Sequence, residues 1–251
     1  MPAQPEPCGG LPAGRLVSFF TVAADQAAQA LAADVAARLR QAIDARGLAV
    51  LHVSGGQSPV ALFEALREQA LPWEKVKVSL ADERVVPPEH ADSNARLVRT
   101  HLLQGPAARA RLLPLLPLLP VLPQSLALPD LAEQAAWALG AQGPADVLVL
   151  GMGADGHTAS IFPGMPNLTQ ALDPQGRSVC LPVAREGLPA AAPHARITQT
   201  LAHLLTARHI VLPVRGSDKL QTLRRACQGR ELPISHVLHQ SLAPVAVWIS
   251  S

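Results

Sequence analysis

The segment from Gly151 to Ser160 reads GMGADGHTAS, and it holds the residues best suited to do chemistry. Asp155 and His157 lie two residues apart in it, where a carboxylate can orient an imidazole and stabilise its protonated form. The glycines permit tight turns and a close approach of the backbone to a ligand. The segment follows Ala145–Leu150, whose nearly continuous apolar run predicts a buried strand. The pattern predicts an active-site loop of an enzyme that handles a small phosphorylated molecule, although a single histidine is more often structural.

A second glycine turn, SGGQSP at residues 54–59, follows the apolar run Leu48–Val53. Its candidates for binding a phosphate are Gly55, Gly56, Gln57 and Ser58. We expect Ser58 to cap a helix that starts at Pro59, and the free N–H groups of a helix start suit an anion. An ordinary strand-to-helix turn would look the same. The turn is neither a Walker A loop nor a GxGxxG motif, so ATP and NAD are not indicated.

Charged residues follow other predicted strands. Asp82, Glu83 and Arg84 come directly after Val76–Leu80, with Ser93-Asn94 shortly beyond them. They are candidates for a site, or for a local ion-pair cluster followed by a helix cap. Arg196 and Lys219 each stand near a predicted helix start, where arginine and lysine with a glycine loop could bind a phosphate. Taken singly, these two cations are also explained by solvation.

Alternating strand and helix patterns must position these loops. The predicted strands are Leu16–Val22, Leu48–Val53, Val76–Leu80, Ala145–Leu150, His209–Val214 and Val245–Ile249. The predicted helices are Ala24–Arg46, Pro59–Ala70, Asn94–Leu103, Asp130–Leu139, Ile197–Ala207 and Ser217–Cys227. Strands that alternate with helices predict an α/β fold with a mainly parallel sheet and helices on both faces. In such sheets, ligands bind beyond the carboxyl ends of the strands.

The 251 residues suit one large domain. We expect a flexible tail over residues 1–14 and a single α/β domain over residues 15–251. Leu112–Pro123 reads LLPLLPLLPVLP, and proline at every third position predicts an extended, polyproline-like connection.

Composition excludes several classes of protein. The formal net charge of +2 and the absence of tyrosine give no support to a nucleic-acid partner. No apolar stretch has the length of a membrane span. Cys8, Cys180 and Cys227 are odd in number and have no CxxC spacing, so they predict neither a disulfide framework nor a zinc site. A reducing, cytoplasmic setting is expected.

Taken in order, the motifs resemble those of the 6-phosphogluconolactonase family. The matching pieces are SGGQSP, ADERVVP with SN, GMGADGHTASIFPG, RIT and GSDK, spread over Leu16 to Trp248. The resemblance implies a modified Rossmann-like sheet and hydrolysis of 6-phospho-D-glucono-1,5-lactone in the oxidative pentose phosphate pathway. It also implies that no cofactor or metal is required.

The resemblance assigns roles by position. It implies that His157 is the general base, that Asp155 is its neighbouring carboxylate and that Arg84 lies near the substrate. Positions that line the phosphate end in the family correspond to Gly55, Gly56, Arg196 and Lys219. Asp82 is a further candidate, either for chemistry or for holding its loop.

Two departures from the family's motifs bear on the site. Gln57 stands where Arg, Lys or Ser is common, and Pro213 interrupts the strand before Gly216.

Two other functions fit parts of the pattern. Glucosamine-6-phosphate deaminases share the phosphate turn and a DGH segment, but they usually carry an aromatic residue at the position of Arg84 and FNEP at residues 161–164. A sugar-phosphate sensor would reuse the sheet without catalysis. The expected partner in each case is a small phosphorylated sugar, and the expected assembly is a monomer or a small homo-oligomer.

Overall fold

The computed structural model describes residues 16–117 and 127–250. The strands are β1 (Val17–Val22), β2 (Ala49–Val53), β3 (Val76–Leu80), β4 (Asp82–Arg84), β5 (Arg111–Leu112), β6 (Val147–Val149), β7 (Cys180–Val183), β8 (Arg196–Gln199), β9 (Ile210–Arg215) and β10 (Val245–Ser250). The helices are α1 (Ala27–Arg46), α2 (Val60–Arg67), α3 (Asn94–His101), α4 (Leu128–Gly140), α5 (Leu168–Leu172), α6 (Leu201–Leu204), α7 (Ser217–Gln228) and α8 (Pro233–Leu238).

A seven-stranded sheet of order β1-β10-β9-β6-β2-β3-β5 forms the centre, and its neighbouring strands pair in parallel. Successive side chains of a strand lie on opposite faces. Val147 and Val149 of β6 therefore pack into one core with α1 to α4, while Leu148 packs into the other with α6 to α8. The predicted α/β class, with a mainly parallel sheet and helices on both faces, is confirmed.

A smaller antiparallel sheet of order β4-β8-β7 lies outside this pattern. The predicted helix over Ile197–Ala207 is wrong at its start, because β8 occupies Arg196–Gln199 and α6 covers only Leu201–Leu204. The β-branched Ile197 and Thr198 favour extended backbone, and both are buried between β4 and β7. Arg196 therefore lies in a strand and not at a helix start.

Pro213 does not interrupt β9, which continues to Arg215. The Val211 carbonyl accepts the N–H of Leu150, so the backbone groups of Val211 face β6. In a strand, the backbone groups of residues two positions apart point to the same side. The backbone nitrogen of Pro213 therefore points to the side of β6, but beyond the last residue of that strand. A proline is tolerated there because no ladder hydrogen bond is lost.

Some sequence predictions fall outside the described ranges. These are the flexible tail over residues 1–14 and residues 118–123 of the polyproline-like connection. The described part of that connection begins in the two-residue strand β5 and reaches Pro117 without a helix. The single domain over residues 15–251 stays a prediction.

The state of the cysteines and the length of the helices can be compared with the sequence predictions. Cys180 is a buried free thiol, and burial raises its pKa to about 12. Cys227 is disulfide-bonded, which the spacing of the cysteines did not predict. None of the helices in residues 16–117 and 127–250 has the length and apolar character to cross a membrane.

His52, in the middle of β2, links stability to pH. Its burial, together with the nearby His203, lowers its pKa from 6.5 to about 3. The folded state then binds fewer protons than the unfolded chain. The contribution of neutral His52 to the free energy of unfolding is therefore fully present above its unfolded pKa of 6.5. It is lost as the pH falls toward the folded pKa.

Between pH 7.5 and pH 5.0 we expect this linkage to remove about 2 kcal/mol from the free energy of unfolding. The His52→Gln variant cannot titrate at this position, so it should lose about 2 kcal/mol less than the wild type over that range. Urea unfolding at both pH values measures the difference. Equal losses in the two proteins would exclude His52 as the titrating group.

Candidate active site

A cleft of about 220 Å³ opens where the loops after β2, β6 and β9 meet the strands β4 and β8. It lies at the carboxyl ends of the parallel strands, where ligands bind in sheets of this kind. Of the residues predicted for the site, those that line the cleft are Gly55, Gly56, Ser58, Asp82, Arg84, His157, Arg196 and Lys219. Asp155 does not line it but contacts His157. Gln57 is exposed and does not line it.

His157 and Asp155 form a hydrogen-bonded pair at the cleft. His157 Nδ1 lies 2.6 Å from Asp155 Oδ1, and the backbone N–H of His157 donates to the same oxygen at 3.1 Å. Burial opposes ionisation of Asp155, but the hydrogen bond and charge of His157 outweigh it and lower the pKa of the carboxyl. An ionised carboxylate only accepts, so we assign the proton to Nδ1, which leaves the lone pair of Nε2 free.

The position of this pair depends on Gly153. A Cβ atom on Gly153 would lie 2.2 Å from His157 Nδ1 and 2.5 Å from Asp155 Oδ1. The N–H of Gly153 also donates to the carbonyl of His157 at 2.9 Å. On the other side, the ring of Phe162 stacks on the imidazole, with 4.4 Å between the ring centroids. Glycine is therefore required at residue 153 because the two functional side chains occupy the space of a side chain.

The turn after β2 is shaped by a second close approach. A Cβ atom on Gly55 would lie 1.8 Å from Oδ1 of Asn94, and Gly56 has a φ of +85°, which favours glycine. Because this backbone is not shielded by side chains of its own, its N–H groups can come close to an anion in the cleft.

Ser58 does not cap α2 as predicted. The helix begins at Val60 with Pro59 at the capping position, and no side chain caps it. The Ser58 hydroxyl instead accepts a hydrogen bond from Lys219 Nζ at 2.8 Å. Partial burial lowers the pKa of the Lys219 ammonium. A hydroxyl from the turn after β2 and an ammonium from the first turn of α7 therefore stand side by side in the cleft wall.

The three charged residues after β3 divide into different roles. Glu83 is buried away from the cleft and accepts the backbone N–H groups of Asn94 and Ala95 at 2.8 and 2.7 Å, so it stabilises the start of α3. Burial raises its pKa, and these hydrogen bonds oppose the rise. Asp82 lines the cleft, but its Oδ2 accepts the Ser160 hydroxyl at 2.5 Å. Asp82 thus braces the cleft wall.

Arg84 and Arg196 are register partners across β4 and β8. Arg196 Nη1 lies 3.3 Å from Ser160 Oγ and 3.8 Å from Asp82 Oδ2. Burial lowers the pKa of Arg196, and the charge of Asp82 opposes that shift. The Nε atoms of both arginines are buried without a hydrogen-bond partner. Buried donors are normally satisfied, so two such donors beside a cleft fit an anionic or strongly polar ligand.

Sequence reasoning missed three contributors to the site. Asn94 lines the cleft, and its buried Oδ1 has no hydrogen-bond partner. Ser160 bonds to Asp82 and Arg196, and Phe162 supports the ring of His157. Asn94 was named from the sequence only as the second residue of the SN pair. Its contact with Gly55 could not be predicted, because the two residues are far apart in sequence.

One group of three side chains in the described residues could hold a metal ion, and it lies outside the cleft lining. It consists of His90, Asp92 and His194. The sequence prediction named no metal ligands, because these residues lie on two separate segments with no recognisable spacing.

Comparisons with known proteins show which family this chain belongs to. The family model described as "Glucosamine-6-phosphate isomerases/6-phosphogluconolactonase" matches residues 23–248. A 6-phosphogluconolactonase of Pseudomonas aeruginosa is 47% identical over 237 residues, which cover 92% of this chain and 94% of the relative. One of Pseudomonas putida is 49% identical over 218 residues, 86% of each chain.

Solved structures give the same result. A 6-phosphogluconolactonase from Shewanella baltica superposes with a TM-score of 0.84 at 37% identity, covering 96% of this chain and all of the other. A monomeric glucosamine-6-phosphate deaminase superposes with a TM-score of 0.71 over 93% of this chain and 96% of its own, but at 18% identity it shows only a shared fold.

Proposed function

This chain belongs to the glucosamine-6-phosphate isomerase and 6-phosphogluconolactonase family, and we propose that its cleft opens the lactone ring with His157 as the base that activates water. The reaction is the hydrolysis of 6-phospho-D-glucono-1,5-lactone to 6-phospho-D-gluconate, the second step of the oxidative pentose phosphate pathway. The observation that carries the proposal is the pairing of His157 with Asp155 at 2.6 Å beside three cationic side chains of one cleft.

The attack on the lactone begins at His157. With Nδ1 bonded to Asp155, Nε2 takes a proton from water as the water oxygen attacks the ring carbonyl. The imidazolium that forms is stabilised by the Asp155 carboxylate. It then donates its proton to the ring oxygen as the carbon–oxygen bond breaks, so His157 returns to its neutral form. A lactone is an activated ester, and no covalent nucleophile is needed.

Arg84 is the proposed donor to the oxyanion. Loop N–H groups are the alternative, but those of Gly151 and Gly153 already donate to Ser54 Oγ and to the His157 carbonyl. Arg84 lines the cleft, keeps its Nε unpaired and is held by donation from Nη1 to the Asp92 carbonyl at 2.5 Å. A fixed donor at this position stabilises charge as it develops on the carbonyl oxygen.

The phosphate end of the substrate is assigned to the turn at Gly55–Ser58, with Lys219 and Arg196. The contact of Lys219 with Ser58 supports this assignment, because it places an ammonium beside a hydroxyl in the cleft that Gly55 and Gly56 also line. Arg196 adds a buried positive charge to the same cleft. The cations offset the charge of a phosphate group and hold the lactone at His157.

Removing the ammonium at residue 219 should separate phosphate binding from chemistry. We expect Lys219→Ala to lower kcat/KM for the phosphorylated lactone by about 10–100-fold, the effect of one charged hydrogen bond. The same variant should hydrolyse glucono-1,5-lactone, which has no phosphate, as the wild type does. Arg215→Ala is the matched control, since Arg215 is an exposed cation near Lys219 that does not line the cleft. Equal losses on the two substrates would contradict the assignment.

A direct assay distinguishes the proposed reaction from the two other functions considered. Purified protein should accelerate acid release from 6-phosphogluconolactone above the spontaneous rate, and it should release no ammonia from glucosamine 6-phosphate. Ammonia release would favour the deaminase. Tight binding of 6-phosphogluconate without turnover would favour a sensor.

The setting and assembly are part of the proposal. We place the enzyme in the cytoplasm, where the sugar-phosphate substrate is formed, as a monomer or small homo-oligomer. The formal net charge of +2 supports the absence of a nucleic-acid partner. No cofactor is assigned to the reaction, because the proposed steps need only proton transfer and charge stabilisation.

A further inference from the structure

Three side chains beside the cleft come together from two segments of the chain. His90 and Asp92 lie on the loop between β4 and α3, and His194 lies just before β8. Because β4 and β8 are antiparallel, the segment leaving β4 runs beside the segment entering β8. The N–H of Val85 donates to the Ala195 carbonyl at 2.8 Å and extends this pairing toward the cluster. The fold itself therefore holds His194 against the loop.

The loop is anchored at both ends. The N–H of His90 donates to the Pro87 carbonyl at 2.9 Å, and the N–H of Ser93 donates to the His90 carbonyl at 3.0 Å. Beyond it, Glu83 binds the first N–H groups of α3. His90 and Asp92 are thus displayed on a fixed turn.

The ligand atoms are spaced for a metal ion. His194 Nε2 lies 2.7 Å and His90 Nδ1 3.8 Å from the same oxygen, Asp92 Oδ2, and all three atoms lie within 4.8 Å of one another. Tetrahedral zinc with bonds of about 2.0–2.2 Å separates its ligand atoms by about 3.4 Å. Small rotations of side chains that are partly open to solvent would reach that spacing.

The protonation of His90 also suits a metal. Its Nδ1 accepts the backbone N–H of Asp92 at 3.1 Å, so this nitrogen carries no proton, and a bound ion would take its lone pair in place of that hydrogen bond. Two imidazoles and one carboxylate make a donor set that zinc favours, with a fourth position left for water. We propose that His90, Asp92 and His194 form a zinc site that fastens the β4–α3 loop to the segment before β8.

The site also bears on the cleft. The carbonyl of Asp92 accepts Arg84 Nη1 at 2.5 Å, so an ion bound to the side chain of Asp92 would fix the group that holds Arg84. The ion takes no part in the hydrolysis, and the zinc proposal stands on geometry that does not depend on the reaction.

Metal binding to the whole chain tests the proposal without an activity assay. After treatment with a chelator and its removal, zinc chloride titrated in a calorimeter should bind one ion per chain. The midpoint of thermal unfolding should rise by about 5–10 °C when free zinc is about a hundredfold above its Kd. Cobalt(II) should give the visible absorption of a low-coordinate nitrogen and oxygen site.

Single variants locate the ion. His90→Ala and His194→Ala should each weaken zinc binding by more than about 10-fold, since even the loss of a residue that only supports a ligand costs about 10–100-fold. His101→Ala is the control, because His101 pairs with Glu64 at 3.1 Å in a similar exposed contact that lacks a third ligand. His157→Ala should also keep the affinity, which separates this site from the pair in the cleft. The absence of stoichiometric binding, or unchanged affinity in both His90→Ala and His194→Ala, would overturn the proposal.

Discussion

Replacing His157 with glutamine is expected to lower kcat for hydrolysis of 6-phosphogluconolactone by about 10²–10⁴-fold, the contribution of a positioned general base. Glutamine keeps a polar side chain of similar reach but cannot take a proton from water. The uncatalysed reaction must be subtracted, because the lactone opens unaided. Initial rates of acid release at saturating substrate give the comparison.

The control for this variant is His101→Gln, which alters a histidine paired with a carboxylate on the outer surface. It should keep the wild-type kcat. The kcat of Asp155→Asn should lie between those of His157→Gln and His101→Gln. The imidazole stays in place in this variant, but its charged form loses the carboxylate at 2.6 Å. If His157→Gln kept kcat within tenfold of the wild type, His157 would not be the base.

Replacing Gly153 with alanine is expected to lower kcat/KM by about 100-fold, although alanine takes part in no chemistry. The new methyl group would overlap His157 Nδ1 at 2.2 Å and Asp155 Oδ1 at 2.5 Å, so both side chains must move. A displacement of about 1 Å at the reacting groups can cost about 100-fold. Backbone strain is not the cause, since Gly153 is not among the residues with positive φ.

Gly151→Ala is the matched control, because its methyl group would meet Ser54 Cβ at 3.6 Å and Ser54 Oγ at 3.9 Å, which are ordinary contacts. We expect its kcat/KM to fall by less than about tenfold, because such a contact is tolerated. Steady-state kinetics on both variants, with thermal unfolding to verify folding, measure the difference. Equal activity of the two variants would show that the position of the His157–Asp155 pair does not limit the rate.

Much of the fold could be predicted because each signal is local. The helix over Ala27–Arg46 ends where Gly47 takes a φ of +78°, as the glycine stop predicted. The apolar run before Gly151 forms the central strand β6, and the glycine loop follows it into the cleft. The order of strands and the loops that follow them was therefore enough to predict that His157 lies at the carboxyl edge of the sheet.

The rest depends on contacts between distant residues. The register of β4 with β8 places Arg84 opposite Arg196, yet 112 positions separate them, and the second sheet has no local pattern. The sequence predicts Arg196 near the start of a helix, whereas it lies in β8. Lys219 bonding to Ser58 and His194 meeting Asp92 are equally long-range contacts. No spacing in the sequence encodes them.

The proposal that the imidazole of residue 157 acts as a base can be tested by rescue with free imidazole. His157→Ala leaves a space beside Phe162 and Asp155 that an added imidazole can enter. We expect hydrolysis by this variant to be slow and to rise with imidazole concentration, beyond the increase in a control without enzyme. Turnover by His157→Ala at the wild-type rate, with no imidazole added, would contradict it.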